Sequence, residues 1–146
     1  MKRIFFTIGA IIFFTIAYYL ISPAFKMIEL NEELPSVQKT VEDFTVLSEA
    51  NFQPKDHEVS GKALIIETNN QRILRFEDFE TINGPDLHIY LSSDLEAKDY
   101  VDLGEIKATK GNVNYEVPNN VDLEKYNKVL VWGQPFRVLF SYAELE

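Results

Sequence analysis

Asn83-Gly84-Pro85-Asp86-Leu87-His88-Ile89-Tyr90-Leu91-Ser92 decides how the chain reads. Asn-Gly-Pro punctuates the backbone. Leu87, Ile89 and Leu91 then alternate with His88, Tyr90 and Ser92, which places three aliphatic side chains on one face of a strand and the polar set on the other. The same period of two recurs on both sides of it. Gly61 to Thr68 and Arg72 to Phe79 predict a hairpin around Asn69-Asn70, and Asp102 to Lys107 and Val113 to Val117 predict two more strands, with Gly111-Asn112 as a turn and Pro118 as a stop. Val129 to Trp132 is an unbroken apolar run suited to a strand buried on both faces, and Phe136 to Phe140 a second one beyond Gly133-Gln134-Pro135. Asp122 to Tyr126 interrupts them as a short helical or turn segment. Seven to ten short strands separated by turns predict an all-β sandwich or partly closed barrel over residues 51–146. Trp132, Phe136 and Phe140 are its expected deepest aromatics, with Phe76 and Phe79 nearby.

Upstream the pattern changes twice. Ile4 to Ile21 carries no charge, and its eighteen residues at about 1.5 Å rise per residue extend about 27 Å, close to the ~30 Å of a bilayer core. Residues 1–25 are therefore expected to be a transmembrane anchor meeting the cell membrane through residues 4–21. Tyr18 and Tyr19 would sit at its interface. Lys2 and Arg3 precede the run and all 23 acidic residues follow it, so the positive-inside rule predicts a single-pass chain with a cytoplasmic N-terminus and an extracytoplasmic domain. Ser22-Pro23-Ala24 offers the alternative of a signal cleavage site and a secreted product. Residues 26–50 read as a linker or stalk, in which Leu30, Leu34, Val37, Val41 and Phe44 form one helical stripe and Pro35 starts or kinks the helix.

Composition narrows the function classes. A net charge of −9, concentrated after the apolar run, argues against nucleic acid as a partner. With no cysteine, disulfides, thiolate metal sites and thiol chemistry are excluded. None of the glycines belongs to a Walker loop, a G-x-S-x-G elbow or a G-x-G-x-x-G turn, and neither histidine belongs to H-E-x-x-H. No catalytic residue is assigned, and the reading leans away from an enzyme. The ligand-binding candidates are His57, Asp86, His88 and Tyr90. Imidazole is the usual ligand for haem iron or copper, and the two histidines would converge if the strand from Gly61 lay beside the strand from Leu87. Against this stands a surface hydrogen-bonding role for both. Asp86, placed after Gly-Pro, suits a turn-fixing carboxylate. Asp94, Glu96, Asp99 and Asp102 could gather calcium, but they lack loop spacing and read as a solvated acidic loop.

The order of residues resembles the DM13 family. The resemblance rests on His57-Glu58-Val59-Ser60-Gly61, Leu74 to Phe79 and Gly84-Pro85-Asp86-Leu87-His88-Ile89-Tyr90-Leu91. It continues through Leu103-Gly104, Gly111-Asn112, Tyr115-Glu116-Val117-Pro118, Tyr126, Val131-Trp132, Phe136 and Ala143. Gly61, Gly84, Pro85, Gly104, Tyr115, Pro118, Trp132 and Phe136 would be its structural motif positions. The resemblance implies an extracytoplasmic β domain proposed to act in electron transfer through a cysteine in the last aromatic segment. Here that segment reads Trp132-Gly133-Gln134-Pro135-Phe136, with Gly133 where the cysteine is expected. Two functions follow as expectations: a non-enzymatic binding or interaction module for an unknown protein or small molecule outside the cell, or an accessory electron-transfer or haem- or metal-binding protein using His57 or His88.

Overall fold

The computed structural model describes residues 2–22, 26–34, 44–68 and 71–146. Among these residues one helix precedes ten strands. The helix is α1 (Lys2–Ile21), and the early strands are β1 (Glu29–Asn31), β2 (Thr45–Asn51), β3 (Gln53–Pro54), β4 (Val59–Thr68) and β5 (Gln71–Thr81). They are followed by β6 (Leu87–Ser92), β7 (Tyr100–Glu105), β8 (Lys110–Val117), β9 (Lys128–Gly133) and β10 (Val138–Glu144). Sheet A has the order β1-β8-β5-β4-β2 and sheet B the order β3-β10-β9-β6-β7. Neighbours run antiparallel except β1 and β8, which pair parallel through Leu30↔Gly111.

Alternation along the strands builds the layer between the sheets. Sheet A contributes Ala63, Ile65, Leu74, Phe76, Phe79, Val113, Tyr115 and Val117; sheet B contributes Leu87, Ile89, Leu91, Val129, Val131, Phe140 and Ala143. The expected aliphatic face of β6 therefore points inward. Phe76 and Phe79 are three residues apart and would alternate to opposite faces, but a bulge between their pairings with Val113 and Gly111 returns both to the core. Phe52 packs against both rings at centroid distances of 4.9 Å.

Several expectations are corrected. Phe136 is 59% exposed, because residues 134–137 form a turn with Arg137 at φ 53° and β10 starts only at Val138. Trp132 is buried, but in a second cluster on the outer face of sheet B with Tyr90, Ala97, Leu130 and Leu139. Loop residues 93–99 lay Leu95 and Ala97 over that face, which is why apolar residues there are shielded from water. Gly111-Asn112 is no turn; both residues lie inside β8, where β1 pairs with it. The segment read as a helical stalk contributes β1 and β2 to sheet A, with Leu30 inside a strand and Phe44 just before one. Pro35, Val37 and Val41 of the expected stripe lie outside the described residues. So do Asn69-Asn70 of the hairpin and Pro23-Ala24 of the alternative cleavage site.

The helix stands apart from this sandwich. Its window Ile4–Ile21 has a mean hydropathy of 2.3 and is wholly unburied by the domain.

Candidate functional site

On the outer face of sheet B the polar phase of β6 meets β7. Asp86 adopts φ 50°, a left-handed conformation that aspartate tolerates better than most residues. Its carbonyl accepts the Gln134 N–H at 3.1 Å, so the turn before β6 is tied to the turn after β9. The conformation sends Leu87 into the core and leaves Asp86 and His88 on the same outer face.

His88 is gripped at both ring nitrogens. Its Nδ1 lies 3.0 and 2.9 Å from the two carboxylate oxygens of Asp102, and its Nε2 lies 3.3 Å from Asp86 Oδ1. An ionised carboxylate only accepts, so Nδ1–H donates to Asp102 and Nε2 faces Asp86. Asp102 is itself held by the Gly104 N–H at 2.8 Å. Glu105 completes the group: one donor atom each from Asp86, His88 and Glu105 lie within 4.8 Å of one another.

This grouping depends on an irregularity. Asp102 and Glu105 are three residues apart and would fall on opposite faces of a regular strand. The register shifts between Tyr90↔Asp102 and His88↔Glu105, so two residues of β7, Leu103 and Gly104, stand opposite one residue of β6, Ile89. Gly104, at φ 107°, supplies the backbone conformation this bulge needs. Both acids consequently share the face of His88.

Beside the histidine lies an aromatic stack. The Tyr90 ring sits 4.1 Å from Tyr100 at an interplanar angle of 17°, 6.3 Å from Trp132 and 6.2 Å from His88. Gln134 Nε2 donates to the Tyr90 hydroxyl at 3.0 Å. Burial, followed by the neighbouring Tyr100 and the Asp102 charge, pushes the Tyr90 hydroxyl up to about 12, so it keeps its proton at neutral pH.

Of the expected ligand residues, Asp86, His88 and Tyr90 come together and His57 does not. β4 and β6 belong to different sheets, so the condition for the histidines to converge is not met. The His57 ring packs on Phe140 at 4.1 Å, and its backbone N–H donates to the Phe140 carbonyl. The acids of the 93–102 region also part company. Asp94 Oδ1 accepts from the Glu96 and Lys98 backbone, Asp99 pairs with Lys125 at 2.7 Å and with the Tyr126 hydroxyl at 2.8 Å, and Asp102 turns to His88. Among the described residues, the group with metal-ligand spacing is Asp86, His88 and Glu105. Glu105, Tyr100 and Gln134 are the members the sequence did not single out. The odd spacing Asp102-Leu103-Gly104-Glu105 around a glycine is the signal that a bulge was there to find.

Three of the motif positions, Gly84, Tyr115 and Pro118, make packing or hydrogen-bond contacts, whereas Phe136 is exposed. Gly84 and Gly133 both lie against the Phe140 ring, Tyr115 accepts the Lys107 N–H at 3.0 Å from within the core, and the Pro118 carbonyl accepts from Val121. A side chain at Gly133 would enter the sandwich beside Phe140 and Leu87, on the opposite face from His88.

These features define a class: a two-sheet β-sandwich with a histidine–carboxylate group and an aromatic stack on the outer face of one sheet. The model of the family described as Electron transfer DM13 matches residues 51–145, and the chain belongs to that family. No curated protein and no solved structure matches it.

Proposed function

We propose that the chain is an accessory module of an extracytoplasmic electron-transfer system, tethered to the cell membrane by residues 4–21 and acting by binding rather than by turnover. The observation that carries this is His88, oriented through Nδ1 by Asp102 at 2.9 Å and standing on an outer face beside the Tyr90–Tyr100 stack. An imidazole held in one orientation next to flat aromatic surface suits recognition of a ligand or a partner, as does the half-exposed Tyr100 ring at the rim. The tether is supported by the length and hydropathy of the Ile4–Ile21 window and by Lys2 and Arg3 before it.

The test is photo-crosslinking in intact cells from a probe placed at Tyr100, with a probe at exposed Glu80 on sheet A as the comparison. The expected product is a partner that carries a redox cofactor, captured from position 100 and lost with His88→Gln. Equal capture from both positions, or a partner without any redox cofactor, overturns the reading. A second reading, in which the domain itself holds haem, is favoured by His88 alone. The absorption spectrum of the protein purified from its own membrane separates the two: a Soret band lost in His88→Gln supports the second, and a colourless protein the first.

A further inference from the structure

We infer that Asp86, His88 and Glu105 form a binding site for one divalent transition-metal ion, of the zinc or copper(II) class, with Asp102 as the positioning residue that orients the imidazole. The inference shares its face with the functional reading above, but it concerns the isolated chain and needs no partner.

The geometry around Nε2 of His88 is that of a ligand pair. With Nδ1 turned to Asp102 at 2.9 Å, Nε2 is directed at Asp86 Oδ1 at 3.3 Å. This spacing suits a cation between them: two ligands held about 2.1 Å from one tetrahedral ion stand about 3.4 Å apart. Glu105 supplies a third donor from the neighbouring strand, all three donor atoms lying within 4.8 Å of one another. The Asp102–His88 pair then reproduces the carboxylate–histidine–metal relay, in which the outer carboxylate fixes the tautomer and strengthens the ligand.

The donor set selects the class of ion. One imidazole nitrogen and two carboxylate oxygens, in a protein without cysteine, suit borderline divalent ions and disfavour copper(I). Calcium would prefer six or more oxygens and no nitrogen. Three protein ligands leave a position open to water or to a group brought by a partner. The site is reached from solvent, since Asp86 and Glu105 are exposed while His88 is half-buried.

The untagged full chain in detergent micelles is titrated with Zn²⁺ by calorimetry and with Cu²⁺ by EPR. Expected are one saturable ion per chain, a Tm that rises with Zn²⁺, and a Cu²⁺ spectrum split by a single imidazole nitrogen. His88→Gln abolishes these signals, Asp102→Asn weakens affinity by about 10- to 100-fold, and His57→Gln leaves it unchanged. Should His88→Gln fail to fold, the double variant Asp86→Asn with Glu105→Gln, which changes only exposed side chains, must lose binding in its place. Unsaturable uptake, binding that survives in the variants, or calcium bound as tightly as zinc overturns the inference. The crosslinking result at Tyr100 is independent of each of these outcomes.

Discussion

A methyl group at Gly84 would stand 2.6 and 2.8 Å from carbons of the Phe140 ring, which is packed in the core and also touched by His57. Gly84→Ala should therefore cost about 1–3 kcal/mol through overpacking, read as a lower midpoint in urea with an unchanged slope. The two aromatics at 132 and 136 make a sharper comparison, since the sequence treats them alike and the structure separates them. Trp132 is 7% exposed in the outer cluster of sheet B, whereas Phe136 is 59% exposed on a turn. Trp132→Ala should cost ~3–5 kcal/mol by leaving a cavity, and Phe136→Ala less than ~0.5 kcal/mol as a surface change. Denaturant titration of both variants checks this, and similar losses would show that Phe136 is held in a way its exposure hides.

Among the elements, the link between β1 and the rest of sheet A is chemically the most specific. Arg75, buried on β5, donates from Nη1 to the Glu32 carbonyl at 3.1 Å and to Asn114 Oδ1 at 2.9 Å, and from Nε to Glu77 at 2.9 Å. Glu32 in turn accepts the Asn114 N–H at 2.7 Å and faces Lys107. The Arg75 hydrogen bond holds the Glu77 carboxyl below the usual range, outweighing its partial desolvation. In the unfolded chain Glu77 takes up its proton at a higher pH than in the folded one. Its contribution is therefore complete above the ordinary glutamate value of about 4.3 and is lost as pH falls through the lower folded value. Glu77→Gln should melt below wild type at pH 7, and the difference should close below about pH 4. A difference that persists unchanged at pH 3 would show that charge is not its source.

For the molecule as a whole, the family match and the fold have different edges. The match begins at residue 51, yet β1 and almost all of β2 lie before it and close both edges of sheet A. Removing them would bare β8 and β4 as open strand edges, which invite aggregation. A chain starting at Lys26 should melt as one cooperative unit, whereas a chain starting at Asn51 should lose about 10 °C or more, or aggregate. Equal midpoints would show that β1 and β2 are ornaments on a self-sufficient domain.

The sequence by itself determined the β class, the inward face of β6, the apolar helix ahead of the domain and the family, because each is written in local periodicity or in an ordered set of residues. It also brought Asp86, His88 and Tyr90 to notice, the last two as the polar phase of one strand and Asp86 as the carboxylate of the turn before it. What only the tertiary structure decided is whatever breaks a period or joins distant segments. The bulge around Gly104 moves Glu105 onto the face of His88, and sheet membership parts His57 from His88. The capture of β1 by β8 turns an expected stalk into an edge strand. Alternation carries information only along a strand, whereas register shifts and the pairing of remote strands are fixed by the packing of the whole sandwich, which no single window of sequence contains.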